Sequence, residues 1–91
     1  MSLFNLKNKS FLITGSSRGI GKSIALHAAI HGAQVIISSR KIDACKATAK
    51  EINDHLGSEL AFPIAGNIAI ESDLENLVSQ SNKLLGKIDV L

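Results

Sequence analysis

Apolar positions along this chain follow two patterns that take turns. Short runs of β-branched and aromatic residues predict strands, and longer stretches with an apolar residue every three or four positions predict helices. Phe11-Leu12-Ile13 is the first run, closed by the turn signature Thr14-Gly15-Ser16-Ser17. From Gly19 to His31, Ile20, Ile24, Ala25, Ala28 and Ala29 form a helical stripe, and Gly32 stands where a C-cap glycine belongs. Gln34 to Ser39 reads as a buried strand. A second helix is expected from about Lys41 to Leu56, because Ile42, Cys45, Ala49, Ile52 and Leu56 make an amphipathic seam that Gly57 ends. Leu60 to Ala65 is the third strand, with Pro63 expected to disturb its pairing. Ser72 with Glu75 makes a capping box for a third helix, which turns Leu74, Leu77, Val78, Ser81 and Leu84 inward and stops at Gly86. Ile88-Asp89-Val90-Leu91 opens a fourth strand.

Strands that alternate with helices imply an α/β fold, a doubly wound parallel sheet of Rossmann type with helices on both faces. The expected strand order is 3-2-1-4, in a single, incomplete domain spanning residues 1–91 that is truncated after the fourth strand.

Composition narrows the function. The 91 residues suffice for one modest core, and 45% hydrophobic with 20% charged residues describes a folded globular chain. A net charge of +2, without any Lys/Arg run, argues against nucleic acid as a partner. One cysteine, Cys45, excludes a disulfide framework and a cysteine-based zinc site. No apolar run approaches the length of a membrane span, and the first ten residues lack the apolar core of a signal peptide, so a cytoplasmic protein without membrane attachment is expected. Tyrosine and tryptophan are both absent.

The informative segment is Thr14-Gly15-Ser16-Ser17-Arg18-Gly19-Ile20-Gly21, which follows a predicted strand and opens a predicted helix. That is the setting of a dinucleotide-binding turn. Gly15 lets the chain leave the strand sharply, Gly19 lets backbone approach a pyrophosphate, and Gly21 lets the helix pack closely. The free N–H groups and dipole of the helix start favour an anion.

With threonine ahead and isoleucine inside, TGSSRGIG resembles the cofactor motif of the short-chain dehydrogenase/reductase family, and the resemblance runs from about Lys9 to Leu91. It implies an oxidoreductase that uses a nicotinamide cofactor, with Gly15, Ser17, Arg18, Gly19, Ile20 and Gly21 at its phosphates. An NAD-specific site would place an acidic residue at the end of the second strand. Here Ser38, Ser39, Arg40 and Lys41 stand there, and a guanidinium suits a 2′-phosphate, so Ser39 and Arg40 with Arg18 point to NADP(H). Where the family carries Asp-Val at the adenine, this chain has Asn67-Ile68.

The family's chemistry runs on a serine, a tyrosine and a lysine in a Tyr-x-x-x-Lys spacing, and no residue of this chain fills the tyrosine's role. No catalytic residue is therefore assigned. His27 and His31, four apart, read as polar residues on an exposed helix flank rather than metal ligands, and no metal site is expected. Cys45 reads as a small buried hydrophobe, and Lys46, Lys50 and Glu51 as a solvated face. Two functions follow. One is the NADP(H)-binding portion of a carbonyl or 3-oxoacyl reductase, inactive alone. The other is a free-standing nucleotide-binding or interaction module without turnover. An unpaired edge at the fourth strand, with the helices flanking it left uncovered, leads to the expectation of a homo-oligomer through that edge or those helices.

Overall fold

The computed structural model describes residues 6–86. Three strands, β1 (Ser10–Thr14), β2 (Gln34–Ser38) and β3 (Ala61–Pro63), alternate with three helices, α1 (Gly19–Ile30), α2 (Ile42–Leu56) and α3 (Glu71–Leu85). The sheet is parallel. Ser10 lies opposite Gln34 and Thr14 opposite Ser38, while Val35 lies opposite Ala61 and Ile37 opposite Pro63. Neighbours run β1-β2-β3 with β2 in the middle. Read from the other edge this is 3-2-1, the order expected for these three strands, and the fourth strand expected at Ile88–Leu91 lies outside the described residues.

Each face of the sheet carries one layer of core. Val35, Ile37 and Ala61 meet Ala25, Ala28 and Ala29 of α1 and Cys45, Ala49 and Ile52 of α2. On the other face Leu12, Ile36 and Ile64 meet Leu77 of α3. A central parallel strand is covered on both sides, which is why QVIIS is a continuous run instead of an alternating one.

Three expectations are corrected. The stripe of α1 divides: Ala25, Ala28 and Ala29 are buried, but Ile20 is 81% and Ile24 50% exposed. At about 100° per residue, Ile24 sits roughly a quarter turn from the alanine face and Ile20 further round. The alanines are what let α1 lie close to the sheet. The inward set of α3 shrinks as well, since Leu77 and Ser81 are buried while Leu74 and Leu84 are exposed. The capping box does not form: α3 starts at Glu71 after Ile70, without a side-chain cap. An Asx turn starts the helix early, with the Ala69 N–H donating to Asn67 Oδ1 at 3.0 Å and the Ile70 N–H to the Asn67 carbonyl at 2.9 Å. Asp73 Oδ2 reaches back and accepts the Asn67 N–H at 3.1 Å.

The outer side of β3 is closed by one side chain. Asn53 Nδ2 donates to the Ala61 carbonyl at 2.9 Å, and Asn53 Oδ1 accepts from the N–H groups of Leu60 at 2.9 Å and Ala61 at 2.8 Å. Leu60 and Ile64 bond inward to β2, so by alternation Pro63 turns its N–H-free nitrogen outward. Proline is tolerated because this is an edge. Among the described residues, no helix is long and apolar enough to cross a membrane.

Candidate functional site

Thr14, Ser38 and Gly66, at or just beyond the carboxyl ends of β1, β2 and β3, frame a cleft of 610 Å³. Open parallel sheets bind ligands at this end.

Its first wall is the turn between β1 and α1. Gly15 and Gly19 have φ of +64° and +65°, a left-handed backbone that favours glycine. Gly21 is needed for a different reason, since a Cβ there would lie 2.5 Å from the Gly15 carbonyl oxygen. The start of α1 therefore rests on the turn itself. Ser16, fully buried, locks the turn to β2: its N–H donates to the Ser38 carbonyl at 3.0 Å, its hydroxyl donates to the Ile13 carbonyl at 2.6 Å, and it accepts the Ser38 N–H at 2.8 Å. Arg18 is the extended residue that precedes α1, and no side chain caps this helix. The first turn of α1 has no acidic residue, whereas α2 has Asp43 and α3 has Glu71 and Asp73. An uncapped helix start without an acidic residue suits an anion.

The second wall follows β2. Ser39 Oγ accepts the Lys41 N–H and donates to the Lys41 carbonyl, both at 3.3 Å, which folds Ser39-Arg40-Lys41 into a short loop. The Gly66 N–H donates to the Ser39 carbonyl at 2.9 Å and ties this loop to the end of β3. Asn67 and Ile68 form the third wall. Asn67 Oδ1 already accepts from Ala69, so one lone pair is left for a ligand.

Of the residues singled out from sequence, the cleft brings together Gly15, Ser17, Arg18, Ser39, Arg40, Asn67 and Ile68. Gly19, Ile20 and Gly21 lie beside it at the start of α1 and do not line it. Arg18, Arg40 and Lys41 give the lining three cations, and among the described residues no carboxylate lines it. A larger, open hollow of 850 Å³ between α2 and β3 mixes Lys46 and Lys50 with Asp54 and Glu59 and holds none of the motif. His27 is exposed on the flank of α1, and among the described residues no group of three His, Cys, Asp or Glu side chains could hold a metal ion.

Sequence reasoning missed two residues behind the walls. Thr48 Oγ1 donates to the Ser17 carbonyl at 2.9 Å. Cys45 is buried as expected, yet its Sγ lies 3.2 Å from Ser39 Oγ. A threonine or cysteine on a helix seam carries no signal of a partner that only the tertiary fold brings near.

The family model described as short chain dehydrogenase matches residues 9–91. The chain belongs to this family. It is 43% identical over 84 residues to a glucose 1-dehydrogenase of Gluconobacter oxydans (strain 621H), a match that covers 91% of this chain and 31% of that protein. A crystal structure of a short-chain type dehydrogenase/reductase from Mycobacterium marinum superposes with a TM-score of 0.88 at 40% identity, covering 96% of this chain and 34% of the other. A 3-ketoacyl-(acyl-carrier-protein) reductase from Brucella melitensis, complexed with NADH, gives 0.85 at 31% identity over 94% of this chain and 34% of that one. The chain thus spans about a third of the length of these relatives. Short-chain dehydrogenases use a nicotinamide cofactor, and the residues present fit one. The uncapped start of α1 and the three cations suit its phosphates. The Ser38 hydroxyl, buried beside the cleft, has no hydrogen-bond partner among the described residues.

Proposed function

We propose that this chain binds NADP(H) and forms the cofactor-binding portion of a short-chain dehydrogenase that acts as a carbonyl or 3-oxoacyl reductase. The observation that carries the reading is the charge of the cleft: Arg18, Arg40 and Lys41 line it without a carboxylate to receive the ribose hydroxyls of an unphosphorylated adenosine. A 2′-phosphate at that place gains charge-assisted hydrogen bonds from the guanidiniums. The N–H groups of the α1 start would hold the pyrophosphate, and Asn67 and Ile68 would border the adenine. The nicotinamide supplies the hydride when bound. The chain's own part is to hold and orient the cofactor.

The chain has no tyrosine, so the family's acid/base group is not within it. NADPH consumption by the chain alone, with carbonyl substrates, is expected to stay at background. Calorimetric titration tests the cofactor assignment. In low salt 2′,5′-ADP is expected to bind more tightly than 5′-AMP by about 1.5–3 kcal/mol, a preference that salt reduces and Arg40→Ala largely removes. Equal affinities would refute it.

A further inference from the structure

The two loops that carry the cleft's cations are anchored to the same face of one helix. Thr48 and Cys45 are three residues apart on α2, hence neighbours on its surface. Thr48, buried, donates to the Ser17 carbonyl at 2.9 Å and fixes the backbone immediately before Arg18. Cys45, also buried, contacts Ser39 Oγ at 3.2 Å, and Ser39 Oγ in turn shapes the loop that carries Arg40 and Lys41. Neither residue lines the cleft. Ala44, beside them, does. The first two turns of α2 thus act as a rigid spacer that sets how far the Arg18 loop stands from the Arg40 loop.

We propose that Thr48, seconded by Cys45, is a positioning residue for cofactor discrimination: through Ser17 it holds Arg18 at the distance from Arg40 at which both guanidiniums reach one 2′-phosphate. The inference rests on the NADP(H) reading above. A 5′-phosphorylated adenosine without the 2′-phosphate needs only the α1 start and is insensitive to that distance. Loss of the Thr48 hydroxyl should therefore weaken binding of the 2′-phosphorylated ligand selectively.

The test compares the affinity ratio for 2′,5′-ADP and 5′-AMP in the parent chain, Thr48→Val, Thr48→Ser and Cys45→Ala, with a thermal unfolding curve of each. Thr48→Val keeps the shape of the side chain and removes the donor, and the ratio is expected to fall by about fivefold, the worth of roughly one hydrogen bond. Thr48→Ser restores the donor and is expected to restore the ratio. Cys45→Ala, which frees Ser39 from the same face, should move the ratio in the same direction and serves if Thr48→Val does not fold. A parent-like ratio in folded Thr48→Val or Cys45→Ala, or an equal loss for both nucleotides, overturns the proposal. A parent chain that does not distinguish the two nucleotides overturns the NADP(H) reading and this inference together, and the parent measurement alone reveals that case.

Discussion

A Cβ at residue 21 would meet the Gly15 carbonyl oxygen at 2.5 Å, closer than real Cβ atoms come to anything. Backbone lies on both sides of that contact, so neither partner can swing away as a side chain would. Gly21→Ala must then lift the start of α1 off the turn and distort the N–H groups of its first turn. Gly15 and Gly19 have open space around the same added atom, and there the constraint is the left-handed φ alone. The expected outcome is a loss of about 1–3 kcal/mol in denaturant unfolding for Gly21→Ala, with affinity for a nicotinamide cofactor falling as well. Unchanged stability and binding would show that the turn adapts. The spacing of the glycines was legible in the sequence, because the backbone demand is local. The parts of Ser16, Thr48 and Cys45 were not: Ser16 bonds residue 38 and Thr48 bonds residue 17, partners that adjoin only after the sheet has formed.

At the scale of the element, Asn53 stands in for a missing strand. Its amide offers one acceptor and one donor to β3, as backbone would, and so satisfies groups that invite another chain to pair. Asn53→Ala is expected to lower stability by about 1–3 kcal/mol, since it unpairs the Leu60 and Ala61 N–H groups and the Ala61 carbonyl. The same variant should self-associate more readily, as light scattering would register. Asn53→Asp keeps the acceptor and should do less harm. The boundaries of α2 and β2 were readable because an amphipathic seam and a β-branched run are one-dimensional signals. Those of α3 were not, because the Asx turn at Asn67 competes with Ser72 for the helix start and the two look alike in sequence. The stripe of α1 misled for another reason. Alanine and isoleucine count equally as apolar, yet only alanine fits where helix and sheet lie close.

At the scale of the whole molecule, Ile20 and Ile24 form an apolar ridge along α1. Large apolar side chains grouped on a surface mark contact with another body. We propose that the chain associates with copies of itself through such surfaces rather than through β3, whose edge Asn53 closes. The mean mass in light scattering should rise with protein concentration, and Ile20→Ser with Ile24→Ser should suppress the rise. A mass that stays monomeric at every concentration argues against it. The α/β class and parallel sheet were visible in the alternation of runs. This surface was not, because a sequence shows which residues are apolar and not which of them the fold leaves uncovered.

The parallel register has a consequence for how the chain comes to be folded. Residue 10 pairs with residue 34, and residue 35 with residue 61, so every rung of the sheet closes a long loop. No hairpin can form early and hold its place, and the entropy of closure is spent before any rung repays it. Phe11, Leu12 and Ile13 therefore wait unpaired while α1 is made, and β2 then serves both neighbours in succession. During synthesis the sticky interval of residues 11–13 therefore ends only when residues 34–38 have left the ribosome.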